Sequence, residues 1–207
     1  MNPLDSRIYL ASRSPRRREL LTQIGLRFDL LLFRSGGRSD PEVDESVQPG
    51  ENPDTYVVRV AKAKAAFGAR VIAMRHLPPR PVLAADTTLD FEGEVIGKPT
   101  DEADARNILA RLSGKTHRVL TAIALVEGDR LVHATSVSEV RFRDLDTEEI
   151  RRYVASGEPM DKAGAYGLQG RAAMFVAEVK GSPSGIVGLP LCETSQLLKQ
   201  FGLPVQS

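Results

Sequence analysis

Ile8-Tyr9-Leu10-Ala11-Ser12-Arg13-Ser14-Pro15-Arg16-Arg17-Arg18-Glu19-Leu20-Leu21 is the stretch on which the fold turns. Ile8 to Ala11 is uniformly apolar and reads as a short buried strand. Ser14 then has the chemistry of a helix N-cap, and Pro15 suits the first helical position because it has no N–H to leave unpaired. A strand passing directly into a helix is the first half of an α/β unit. Arg16, Arg17 and Arg18 fall in the first helical turn, at the positive end of the macrodipole, where a cation typically costs ~0.3–1 kcal/mol. Free backbone N–H groups together with guanidinium forks make a trap for an anion, above all a polyphosphate.

Outward from this opening, strand-like and helix-like segments alternate, and the whole chain reads as α/β. Gly25 has the character of a helix C-cap, and Phe28 to Phe33 reads as a second strand. Residues 34–52 are a loop carrying the acids Asp40, Glu42, Asp44 and Glu45. Asn52-Pro53-Asp54 starts a helix with Val57, Val60 and Ala61 near one face and Arg59, Lys62 and Lys64 elsewhere. Val82 to Ala85 is expected to be a short buried strand ending at Asp86-Thr87. Thr88–Phe91 and Glu94–Ile96 form a hairpin around Glu92-Gly93. Thr100 is expected to cap a helix that buries Ala105, Ile108, Leu109 and Leu112. Val119–Val126 and Leu131–Phe142 are antiparallel neighbours, and Thr147 is expected to cap a helix reaching Ala155. Then come a glycine-rich segment from Gly157 to Gly170, a strand Met174–Val179 and a last helix stopping near Gly202. No linker is long enough to separate independent units, so residues 1–207 read as a single domain.

The totals narrow the function. The chain has 207 residues, with 28 Lys plus Arg against 27 Asp plus Glu, a net charge of +1. That balance argues against general nucleic-acid binding, and seven Phe, four Tyr and no Trp leave few stacking surfaces for single strands. Cys192 is the only cysteine, which excludes a disulfide framework and a thiolate metal site. No apolar signal segment or membrane-length run is visible, so the protein is expected to be soluble and cytoplasmic, with no membrane partner.

Several groups carry chemistry. Asp86, expected beyond the carboxyl end of a strand, is where open α/β sheets gather ligands. Glu45 sits in a loop acidic enough to hold a hard divalent cation, and Mg²⁺ typically uses one or two carboxylates plus substrate phosphates. Lys98, confined between Gly97 and Pro99, suits a point contact to phosphate. Lys64 is a second basic candidate, though an exposed helix face explains it equally well. Gln169, in the glycine-rich segment, offers an amide able to read a nucleobase edge. Other signals fail. Ser113-Gly114-Lys115-Thr116 ends like a P-loop, but Leu109 stands where a glycine is required. His76, His117 and His133 lack metal-ligand spacing.

Taken in order, these motifs resemble the Maf family of nucleoside triphosphate pyrophosphatases over nearly the whole chain. The opening from Leu10 to Leu21, Val43-Asp44-Glu45, Arg59 to Ala65, Ala85-Asp86-Thr87, Gly97-Lys98-Pro99, Ser113 to His117 and Gly157 to Gly170 carry the likeness. Asp86-Thr87 with Asp161 to Gly170 is similar to the branch that hydrolyses dTTP and UTP. The resemblance implies an elongated mixed β-sheet with flanking helices, two lobes around a central cleft, and a homodimer. It implies cleavage to a nucleoside monophosphate and pyrophosphate, a house-cleaning of nucleotide pools with a link to division arrest. Asp86 would be the essential acid, Lys64 the functional lysine, and Arg16, Thr87 and Gln169 would tune substrate choice. Glu45 and Asp86 are expected to hold Mg²⁺ or Mn²⁺, with Asp86 alternatively taking the proton of water. Arg16, Arg17, Lys64 and Lys98 would clamp phosphate, and Ser12 would add a hydroxyl donor. A non-catalytic nucleotide-binding division regulator, or a pyrophosphatase of purine triphosphates, are the competing readings. One departure stands out: Pro183 follows Gly181-Ser182, where the family often has an aromatic.

Overall fold

A computed structural model of the chain describes residues 7–33 and 43–203; Asp40 and Glu42 of the acidic loop therefore lie outside the described residues. The described strands form one mixed sheet in the order β2-β1-β3-β5-β6-β7, with β4 added to β3. β1 (Ile8–Leu10) runs parallel to β2 (Phe28–Leu30) and to the start of β3 (Val82–Phe91). β4 (Glu94–Ile96), β5 (Thr116–Glu127), β6 (Arg130–Phe142) and β7 (Val176–Lys180) continue it antiparallel.

Helices cover both faces, and the alternation of strand side chains assigns each its cover. α2 (Pro53–Met74) lies on the face made by Val82, Ala84, Leu120, Ala122 and Ala124, burying Val57, Ala61 and Ala65. It packs closely: a Cβ on Gly68 would sit 2.8 Å from Val82 Cγ1, so glycine is what lets the helix approach. On the opposite face, α1 (Pro15–Gln23) and α6 (Leu191–Gln200) pack on Leu83, Ala85, Ile123 and Leu125. Further along that face, α3 (Glu102–Leu112) and α4 (Thr147–Ala155) enclose Leu89, Phe91, Val140 and Phe142.

The opening reads as expected. Ser14 caps α1 by accepting from the Arg17 N–H at 3.4 Å, Pro15 follows, and no acid occupies the first turn. Several boundaries differ. β2 stops at Leu30, because β1 ends at Leu10 and offers no further partner. Residues 171–175 form a 3-10 turn, so β7 starts at Val176. Asp101 and Asp146, each one residue from the expected threonine, cap α3 and α4, a carboxylate accepting better from the helix start than a hydroxyl.

The extent of β3 is the difference that matters most. β3 does not end at Ala85 but runs ten residues to Phe91, so Asp86 and Thr87 lie in mid-strand. β5 pairs with it without interruption from Val82 to Asp90. On its other side, β1 pairs only at Val82–Leu83 and β4 only at Leu89–Phe91. Residues 84–88 thus have no strand beside them on that edge among the described residues. The sheet is notched there, and the polar residues occupy the notch.

Candidate active site

The notch opens into a cleft of about 580 Å³. Its wall combines the start of α1, Glu45 of the acidic loop, α2, the centre of β3, the Gly97-Lys98 turn, the glycine-rich segment and Gly188. Arg16, Arg17, Glu45, Lys64, Asp86, Thr87, Lys98 and Gln169 all line it. Residues spread over more than 150 positions in sequence thus converge on one crevice. Ser12 alone of the expected set is absent from the lining. It acts one step back, accepting from Arg17 Nη1 at 3.3 Å and from the Ser14 N–H at 3.2 Å.

Because successive side chains of a strand point to opposite faces, Asp86 and Thr87 serve different halves of the cleft. Asp86 faces α2. Its Oδ1 lies 2.9 Å from Lys64 Nζ, and the same ammonium lies 3.0 Å from Glu45 Oε2. The Lys64 and Asp86 side chains are only 16% and 10% exposed, so Lys64 is no solvated helix face. One cation here holds two carboxylates together. Asp86 Oδ2 and Glu45 Oε1 keep no protein partner among the described residues. Oxygen-only donors converging on a cation fit a hard divalent ion that also takes phosphate oxygens. No cluster of three or more His, Cys, Asp or Glu side chains able to hold a metal by themselves occurs among the described residues. Two carboxylates would fill only part of the coordination sphere of such an ion.

Thr87 faces the other way, toward Arg17. The half-buried Arg17 ties three elements together: Nε donates to Gly188 O at 2.8 Å, Nη1 to Ser12 Oγ at 3.3 Å and Nη2 to Thr87 Oγ1 at 3.2 Å. Burial lowers its pKa, with Asp86 acting in opposition, yet a guanidinium stays charged in any case. Thr87 Oγ1 is also 2.9 Å from Thr121 Oγ1, whose own proton goes to Gly185 O at 2.7 Å. The Thr87 hydroxyl must therefore donate to Thr121 and accept from Arg17. It presents an acceptor, not a donor, to anything in the cleft.

The remaining cations are different. Arg16 and Lys98 make no hydrogen bond or ion pair among the described residues, and Gln169 is exposed with its amide unengaged. The glycine-rich segment presents Gln169 from a tight support. Gly164, at φ +70°, donates its N–H to Gly97 O at 2.9 Å, which fastens the segment to the turn bearing Lys98. Lys162 is turned inward onto Glu158 O and Asp161. Behind the wall, Tyr166 OH meets His117 Nε2 at 2.7 Å in a T-shaped ring cluster with Phe142. Burial lowers the His117 pKa to about 4, so the ring is neutral.

Sequence reading missed Thr121, Gly188, Tyr166 and Tyr56. Their roles are tertiary: a hydroxyl under Thr87, a carbonyl on Arg17 and two aromatic wall residues. Only Tyr56 left a trace, eight residues before Lys64 and so on a neighbouring face of α2.

The fold and site together define an α/β protein whose cleft is lined by arginines, lysines and two ion-paired carboxylates. A family profile described as Maf-like protein matches residues 7–201, and the chain belongs to that family. A dTTP/UTP pyrophosphatase of Aromatoleum aromaticum is 62% identical over 206 residues, covering 99% of this chain and 100% of the relative. One of the same name from Dechloromonas aromatica is 61% identical over 196 residues, 95% of this chain and 98% of the relative. Among solved structures, the Staphylococcus aureus Ham1 protein shares the fold, with TM-score 0.50 and 15% identity over 94% of this chain and 97% of that one. No helix among the described residues is long and apolar enough to cross a membrane.

Proposed function

We propose that the chain hydrolyses dTTP and UTP to the nucleoside monophosphate and pyrophosphate, clearing the cytoplasmic nucleotide pool. The observation that carries this is the Glu45–Lys64–Asp86 arrangement, which lines the same cleft as Arg16 and Lys98. Near-full-length relatives bearing the name dTTP/UTP pyrophosphatase support the substrate.

Arg16, Lys98 and Lys64 bind the triphosphate oxygens and stabilise the charge that grows as the bridging bond lengthens. Arg17 holds Thr87 and the Gly188 segment in place and adds its positive field. Asp86 Oδ2 takes a proton from water as the water oxygen bonds to the α-phosphorus. The α–β bridging P–O bond then breaks, and pyrophosphate leaves with its electron pair. Glu45, with Asp86 acting through a water, would hold Mg²⁺ or Mn²⁺, which when bound supplies Lewis-acid neutralisation of phosphate oxygens. Thr87, an acceptor, and Gln169, both donor and acceptor, face the base and ribose.

The test is hydrolysis of dTTP in ¹⁸O-labelled water with Mg²⁺, comparing dTTP, UTP, CTP, GTP and ITP. Label in dTMP, with unlabelled pyrophosphate, is expected. Orthophosphate with dTDP, or preference for ITP, overturns the reading.

A further inference from the structure

Glu45 comes from a loop with no strand or helix of its own, yet it must meet Lys64 and Asp86 within hydrogen-bonding distance. Three consecutive carbonyls of that loop are gripped by side chains of α2. Arg59 Nη1 donates to Asp44 O at 2.9 Å and Nη2 to Ser46 O at 2.8 Å. Between them, Tyr56 OH donates to Glu45 O at 3.0 Å. Burial and the neighbouring Asp86 and Glu45 carboxylates raise the Tyr56 pKa well above the ordinary value, so its hydroxyl stays a donor. Arg59 is itself fixed from the far side. Its Nε and Nη2 meet Glu51 Oε1 and Oε2 at 2.6 and 2.8 Å, and its guanidinium lies 5.5 Å from the Tyr56 ring centroid. Glu51 in turn accepts from the Gln48 N–H at 3.1 Å. The loop from Asp44 to Glu51 is therefore wrapped around one guanidinium.

We propose that Arg59, assisted by Tyr56, is the positioning residue that sets the Glu45 carboxylate beside Lys64 and Asp86. Arg59 is not part of the cleft wall and reaches the chemistry only through the loop. The arrangement has a geometric logic. Arg59 and Lys64 stand five residues apart on the same helix, so one rigid element registers both the loop and the ammonium that bridges the carboxylates. Two carbonyls flanking a fixed residue call for a planar fork with several donors; a lysine offers a single point of attachment. The inference rests on the reading of Glu45 given above.

Four variants test it: Glu45→Gln as reference, Arg59→Gln, Arg59→Lys and Tyr56→Phe. Three quantities are measured for each: dTTP turnover, thermal midpoint, and Mn²⁺ retained in the presence of a non-hydrolysable α,β-imido dTTP, read from the free-ion EPR signal. Arg59→Gln is expected to lower kcat roughly tenfold to a hundredfold, as misplacement of a reacting group does, while KM for dTTP moves by only about threefold or less. Mn²⁺ retention falls in the same direction as in Glu45→Gln. Arg59→Lys recovers part of both losses, and Tyr56→Phe loses about twofold to fivefold, one hydrogen bond's worth. A merely structural Arg59 would lower the thermal midpoint and leave kcat per folded molecule and Mn²⁺ retention alone. Wild-type kcat and Mn²⁺ retention in Arg59→Gln, with Glu45→Gln impaired, overturns the proposal, as does a fully active Glu45→Gln, which leaves nothing to position. Should Arg59→Gln not fold, Tyr56→Phe decides by the same readouts. Absence of pyrophosphate from the wild type would instead break the reaction assignment, and the Mn²⁺ comparison would still judge the positioning role.

Discussion

Arg17 and Arg16 are neighbours in the chain and opposites in wiring. Arg17 belongs to the floor of the cleft, where every charged group already has a protein partner: Arg17 with Gly188, Ser12 and Thr87, and Lys64 with Glu45 and Asp86. Arg16 belongs to the rim, with Lys98 and Gln169, where no side-chain hydrogen bond or close ion pair is made among the described residues and Arg16 acts on Asp161 only through its field. The floor is assembled before any ligand arrives, so little reorganisation is needed there at the moment of reaction. Under the proposed function, the rim gains its partners from the substrate. Floor substitutions should therefore strike turnover, and rim substitutions should strike affinity.

The sharpest attempt to break that division is Asp86→Asn. It keeps shape and removes both the open oxygen's basicity and one of the two counter-charges of Lys64. Pyrophosphate release from dTTP is expected to fall by about 10³-fold with dTTP binding retained, as measured by calorimetry. Wild-type-like turnover would end the claim that the floor is catalytic. Lys64→Met comes next. It leaves Glu45 and Asp86 facing each other with no cation between them, and kcat/KM should drop about 10²-fold, the scale on which a charge-stabilising donor acts.

Rim variants should do less, and differently. Arg16→Ala or Lys98→Ala is expected to raise KM about tenfold, with kcat changed much less, the scale of a lost charge-assisted contact. The wild-type KM should rise with added salt more than kcat changes, because an exposed cation is screened and a buried pair is not. Equal losses of kcat from rim and floor variants would erase the distinction. The smallest effect on turnover belongs to His117, behind the wall. Its pKa is lowered from 6.5 to about 4 by burial, so between those values the unfolded chain binds the proton and the folded one does not. Stability should thus decline as pH falls through that window, by on the order of 3 kcal/mol once below it, and His117→Gln should flatten the decline in denaturant titrations.

Much of this was legible from residues alone. Ser14-Pro15 fixed the start of α1 because capping is local chemistry, and Glu92-Gly93 marked the β3–β4 hairpin for the same reason. The site residues were legible as chemical types with unusual constraint, such as Lys98 between glycine and proline. What escaped notice was tertiary. Asp86-Thr87 looked like a strand end because polar residues rarely interrupt a central strand. They are accommodated here by the missing neighbour between β1 and β4, which no local pattern reports. Arg59 looked like solvent-facing charge on α2, since its partners are backbone carbonyls of another segment. Thr121 looked like an ordinary β residue until Thr87 was found opposite it.

The alternation along β3 has one more consequence. Asp86 meets Lys64 on one side of the sheet and Thr87 meets Arg17 on the other, so their functions are assigned by parity. A single-residue insertion or deletion upstream of Asp86 that slid β3 by one place along β5 would turn the acid to the arginine's face of the sheet and the hydroxyl to the lysine's face. The long, unbroken ladder with β5 is thus the frame that keeps acid and alcohol each on its own face.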